Sequence, residues 1–188
     1  MNIYPLLVFL HVLGGVGIFA ALSIEAVALG RLQRTDRTAE ARPWMRLLAS
    51  AGRLAGIAML ATLTTGVWMM AKWWGPRPWI QAALLTVVVM AVFGGGVTGR
   101  RMRRLGRLLP AETEPTLSAA FRSVSSSGAL AISLRARIAG ALGILGLMTL
   151  KPDMGSSLII VGVALAAGVL ASVRSVRRSE PFEAAASH

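Results

Sequence analysis

Two side chains invite chemistry before any element is drawn. His11 and Glu25 interrupt an otherwise apolar run from Ile3 to Leu29. An ionisable residue inside such a run is a functional candidate by default. Neutral imidazole ligates metals and haem iron, and a buried carboxylate can carry a proton or hold a guanidinium. At about 100° per residue, the fourteen steps between them bring Glu25 back to within ~40° of His11. One helical stripe therefore carries His11, Gly14, Gly15, Ile18, Leu22 and Glu25, and that stripe should face protein rather than solvent.

Each residue has a bland and a sharp reading. His11 either makes an interhelical hydrogen bond or serves as an axial ligand to b-type haem or another metal. In the second case Gly14, Gly15 and Gly17 let a porphyrin approach the backbone. A sixth ligand would come from Met59, Met69, Met70, Met90, Met148, Met154 or Lys72. Glu25 is either an inner-end carboxylate paired with Arg53, Arg135 or Arg137, or a proton or substrate carrier in a small transporter. The same three arginines are candidates for anionic lipid head groups. The chain has no Cys, which excludes disulfides, thiolate sites, covalent c-type haem and thiol catalysis. No Ser–His–Asp arrangement, phosphate loop or zinc-like spacing is present. The expectation leans towards a protein that is not an enzyme.

The elements that must position these residues follow from hydropathy. The 188 residues are 55% hydrophobic and only 15% charged, with a net charge of +12. That is too apolar and too sparsely charged for an average soluble domain, and disorder is excluded. Five segments approach the ~20 apolar residues a membrane helix needs. They lie at about 3–29, 47–71, 79–99, 128–150 and 154–173, followed by a tail, 179–188, expected to be disordered. The first has no Lys or Arg before it and is too long for a signal peptide, so it reads as a retained helix. The fold class is all-α integral membrane, a single membrane domain over 1–178.

Charge then orients the bundle. Seventeen of the twenty basic residues fall in the connections after the first, third and fifth helices or at the start of the fourth. Lys72, Arg77 and Lys151 fall on the other side. The positive-inside rule puts the N-terminus outside and the C-terminus inside, in a bacterial inner membrane. Tyr4, Trp68, Trp73, Trp74 and Trp79 then mark the outer interface and Trp44 the inner one. The Arg-rich connections, with interspersed Leu and Phe, read as interfacial extensions of the helices. Their basicity is an orientation signal, and nucleic acid is not an expected partner. The expected partners are the lipid bilayer, its anionic head groups, and a homodimer or membrane-complex partner.

The second to fifth helices read as two hairpins of the same orientation. Pro43 and Pro115 precede them as helix starters, and Arg53-Leu54-Ala55-Gly56 matches Arg137-Ile138-Ala139-Gly140. Close helix approach is expected at Gly52/Gly56, Gly95/Gly99, the Gly140-Gly143-Gly146 series, and Gly162 and Gly168.

The opening Leu10-His11-Val12-Leu13-Gly14-Gly15 and the run from Arg135-Ala136-Arg137 to Leu147-Met148-Thr149-Leu150-Lys151-Pro152-Asp153 resemble a bacterial family of predicted integral membrane proteins of unknown function. More distantly, the Leu-His start is similar to the copper-resistance D membrane proteins and the membrane protoporphyrinogen oxidases. The latter resemblance implies haem binding through His11. The sequence after His11, with Gly17-Ile18-Phe19-Ala20, departs from the aromatic-Gly pattern of those groups, and Lys72 is no assured counterpart of the oxidases' Lys ligand.

Overall fold

The computed structural model describes residues 2–172 with their side chains and carries the helical backbone on to Ala185. Every regular element in it is helical. The order is α1 (Tyr4–Leu32), α2 (Thr38–Met69), α3 (Pro78–Ala91), α4 (Arg100–Leu108), α5 (Ala119–Ser125), α6 (Gly128–Leu150) and α7 (Met154–Ala185). Two π-helical stretches, Met70–Trp74 and Val92–Gly99, extend α2 and join α3 to α4. Five helical runs are long and apolar enough to cross a membrane: Tyr4–Leu32, Thr38–Trp74, Pro78–Ala111, Ala119–Leu150 and Met154–Ser172. The tail read as disordered, 179–188, and the side chains of Arg174, Arg177 and Arg178 lie outside the fully described residues.

Local chemistry explains where the helices start and stop. Pro78 opens α3 at its first position, where the missing N–H costs nothing. The Ser118 hydroxyl caps α5 by accepting from the Phe121 amide. Lys151 ends α6 in the left-handed region, at φ 48°, and its N–H closes on the Leu147 carbonyl. Pro152 then prevents continuation. Asp153 starts α7: its carboxylate accepts from the Ser156 amide at 3.1 Å and the Ser156 hydroxyl at 2.8 Å. Those bonds favour the charged form and hold its carboxyl below the usual aspartate range.

The two Arg-rich connections meet at one end of the bundle. The Thr38 amide donates to the Pro115 carbonyl, the Leu117 amide to Asp36, and the Gln33 side chain to the Ser125 carbonyl. Leu105, Leu117 and Phe121 close this end against Leu29, Leu32 and Ala41. At the opposite end Tyr4 packs edge-on against Trp73 and Trp74, and Trp74 against Trp79. So the Arg-rich connections and the cluster of Tyr4, Trp73, Trp74 and Trp79 sit at opposite ends, while Phe9, Ile57 and Ile159 point outward between them. Apolar side chains facing away from the protein need an apolar solvent.

Helix α6 is the centre of the bundle. Half of the most apolar window in its run is buried, against 11% for the fifth run. The closest approaches are α1 with α2 and α6 with α7. Glycines make both possible. A Cβ on Gly14 would lie 2.3 Å from the Thr62 hydroxyl, and one on Gly168 would lie 2.8 Å from the Arg135 carbonyl.

Three expectations are corrected here. Neither Pro43 nor Pro115 starts a helix: Pro43 lies inside α2, and Pro115 lies in the extended link that bridges to Arg37. Gly52, Gly56 and Gly162 line no tight helix contact, since an added Cβ at each meets nothing within 4 Å. The two hairpins are not packed alike. α6 and α7 are closely packed, whereas α2 packs along α1 and its backbone stays away from the third run. A short matching motif reports helix phase, not helix distance.

Candidate functional site

Glu25 and Arg137 form one buried ion pair. Each is 8% exposed. Arg137 Nη1 donates to Glu25 Oε2 at 2.9 Å, and Nη2 donates to Oε1. This fork-on-fork geometry is the strongest arrangement the two groups can make. Arg137 Nε also donates to the Ser133 carbonyl at 3.3 Å, and Nη2 to the Thr98 hydroxyl at 3.2 Å. Four of the five guanidinium N–H groups therefore have acceptors.

The hydroxyls continue the chain in one direction. Ser133 Oγ donates to the Phe93 carbonyl at 2.8 Å, so Thr98 Oγ1 must be the donor in its 2.8 Å bond to Ser133 Oγ. Thr98 is then free to accept from Arg137. Each proton has one place to go, and α1, α6 and the π-helical stretch are tied together. The triple glycine 94–96 matters for space: a Cβ on Gly94 would come within 3.3 Å of Arg137 Cδ. Sequence reasoning missed Thr98, Ser133 and the π-helix. The triple glycine, a weak helix former, was the available signal.

The other two candidate arginines are elsewhere. Arg53 is exposed and, among the described residues, its guanidinium reaches only Ser50, one turn back on α2. Arg135 reaches across α6–α7 to the Ala171 carbonyl at 2.5 Å. Of the three possible partners for Glu25, the structure joins it to Arg137 alone among the described residues.

His11 sits on the same α1 stripe nearer the aromatic end. Its Nδ1 lies 2.9 Å from the Thr62 carbonyl and 3.3 Å from Thr65 Oγ1. A carbonyl only accepts, so Nδ1 carries the proton. Thr65 Oγ1 itself donates to Ala61 at 2.6 Å, so it too accepts from the imidazole. The neutral ring then has an unprotonated Nε2, which has no hydrogen-bond partner among the described residues. Gly66 admits the ring: a Cβ there would be 2.9 Å from His11 Cε1.

His11 borders an apolar cavity of about 370 Å³ lined also by Gly15, Met59, Met90 and Met148. Gly14 is not part of it, because the Thr62 hydroxyl fills its notch. That hydroxyl is buried without a hydrogen-bond partner. Among the described residues no group of three or more His, Asp or Glu could hold a metal ion.

Fold and site together define an all-helical protein of multi-pass type, with one buried ion pair and one interhelical histidine. No protein-family model, curated protein or solved structure matches this chain.

Proposed function

We propose that this chain is a non-enzymatic multi-pass component of a bacterial inner membrane, an accessory or assembly subunit. Its N-terminus lies outside and its C-terminus inside, with the basic end of the bundle at the anionic cytoplasmic leaflet. The observation that carries the reading is the use of the two ionisable side chains of α1. Both Glu25 oxygens are bound by Arg137, and His11 Nδ1 is bound by Thr62. They join helices rather than wait for a substrate. A transporter that protonates Glu25 would have to break this pair in every cycle, which makes that reading the least supported.

A second reading has one specific observation in its favour. Bonding Nδ1–H to a carbonyl is the arrangement that aims a histidine's Nε2 at a metal. His11 also borders the methionine-lined cavity, so it fits the role of axial ligand to haem b. The volume fits less well, since about 370 Å³ is near the lower limit of ligand sites. In that case haem would supply one-electron chemistry, and His11 would hold the iron.

An absorption spectrum separates the two. Protein purified after haem-replete expression should be colourless under the first reading. A Soret band lost in His11→Ala would overturn it in favour of the second. Sidedness is tested independently, because the chain has no cysteine. Thr113→Cys should be labelled only from the cytoplasmic side and Pro76→Cys only from the outside.

A further inference from the structure

The separation of α2 from the third run leaves a cleft at the basic end of the bundle. It encloses about 660 Å³, well within the range of small-molecule sites. One wall is α2, with Met45, Leu48 and Ala49; the other is the π-helical stretch and α4, with Met102. Its inner lining includes Glu25 and Arg137. Two glycines keep it open: Gly52 and Gly106 both line it, and a Cβ on either would meet nothing within 4 Å.

Charge distinguishes this cleft from an ordinary gap between helices. Arg42 and Arg46 line it one turn apart on α2. Neither guanidinium has an acidic partner among the described residues. The one lining carboxylate, Glu25, is already bound by Arg137 through both oxygens. Three guanidinium groups against one carboxylate leave the lining at a net +2. Apart from Thr98, whose hydroxyl is already bonded to Ser133 and Arg137, the rest of the wall is apolar or glycine. An occupant must therefore carry negative charge at one end and hydrocarbon along its length.

We propose that this cleft binds an anionic membrane phospholipid, with its phosphate between Arg42 and Arg46 and one acyl chain between α2 and the third run. The inference rests on the membrane reading above but not on the orientation of the chain. It also replaces Arg53 and Arg135 with Arg42 and Arg46 as the arginines that meet lipid phosphate. Arg137 remains as the wall group that keeps Glu25 from repelling the ligand.

The test uses the full chain purified in detergent, with native mass spectrometry as readout. The probes are phosphatidylglycerol and phosphatidylcholine with identical acyl chains. Wild-type protein should retain phosphatidylglycerol in clear preference. Arg42→Gln/Arg46→Gln should weaken it by roughly thirty-fold, at about fivefold per arginine near a phosphate. Arg42→Lys/Arg46→Lys should keep most of the preference. Gly52→Leu, which fills the cleft without touching backbone, should remove both lipids. Arg53→Gln/Arg104→Gln deletes the same charge from positions that do not line the cleft and should change binding less than threefold, since the pull of a solvent-exposed charge falls off with distance from the phosphate. Equal retention of the two lipids by wild type would overturn the proposal. So would an equal loss in the Arg53/Arg104 control, or equal binding of glycerol phosphate, which has the head without the chain. Because detergent has no inside, reversed cysteine labelling would sink the orientation and leave this result standing.

Discussion

The basic and aromatic ends of the bundle treat an ionisable side chain of α1 in opposite ways. Glu25 meets a full complement: two guanidinium bonds, backed by Thr98, Ser133 and the Phe93 carbonyl. His11, on the same stripe, makes its bonds through Nδ1 and, among the described residues, none through Nε2. The difference lies in what each group costs when unpaired. A charged group in a low-dielectric interior needs an opposite charge and several hydrogen bonds. A neutral imidazole needs one donor satisfied and tolerates an idle lone pair. At the basic end the side chain is therefore held by charge pairing, while at the aromatic end it is held mainly by shape.

The strongest way to break this comparison is to remove one half of the buried ion pair. Glu25→Leu leaves Arg137 buried without its partner and should destabilise the fold by about 3–5 kcal/mol. The double variant Glu25→Leu/Arg137→Met should recover most of that loss, because it removes both desolvated charges. Denaturant unfolding in detergent measures both. A double variant as unstable as the single would show that the pair is needed for more than mutual neutralisation.

Shape at the seam between α1 and α2 is tested next. Gly14→Ala drives a methyl group into the Thr62 hydroxyl and the Ala58 carbonyl, and should cost about 1–3 kcal/mol. Gly15→Ala, one residue on, meets nothing within 4 Å and should improve helix propensity by a few tenths up to about 1 kcal/mol. Opposite signs at adjacent glycines in the same thermal melts would sharpen the contrast; equal signs would remove it.

A smaller effect is expected at His11 itself. His11→Ala should lose about 1 kcal/mol, the ordinary worth of one hydrogen bond. His11→Asn, whose amide can still donate to Thr62, should lose less. A loss at His11 as large as that at Glu25 would erase the distinction between the two ends.

The weakest expected effect is at the turn between α6 and α7. The folded pKa of Asp153 is depressed by its bonds to Ser156, so its contribution is complete above the unfolded pKa and is lost as pH falls through the folded one. The melting temperatures of wild type and Asp153→Ala should therefore differ at neutral pH and converge in acid. A constant difference down to strong acid would show that the carboxylate charge is not what caps α7.

Much of this was legible in the residues. Run length and hydropathy located five long helices, and α6 begins at Gly128 and ends at Leu150 as read. The stripe from His11 to Glu25 faces the protein: Gly14, Leu22 and Glu25 are buried on it. Helical phase alone supplies that, because 3.6 residues per turn is a property of the backbone. The partner of Glu25 was narrowed to three arginines but not chosen. Arg135 and Arg137 differ by about 200° around α6, and only the placement of α7 against one side and α1 against the other separates them.

What the sequence by itself determined is the local physics: which segments are apolar enough to span, which residues of α1 share one stripe, and that the Arg-rich connections lie away from Tyr4, Trp73, Trp74 and Trp79. Tertiary structure alone decided that α2 leaves the third run and packs on α1, that Val92–Gly99 widens into a π-helix, and that Gly14 rather than Gly52 carries a tight contact. The physical reason is that hydropathy and period fix each helix's axis and face, whereas distances between helices come from side-chain shapes meeting across the bundle. The ion pair and the cleft beside it both arise from those distances.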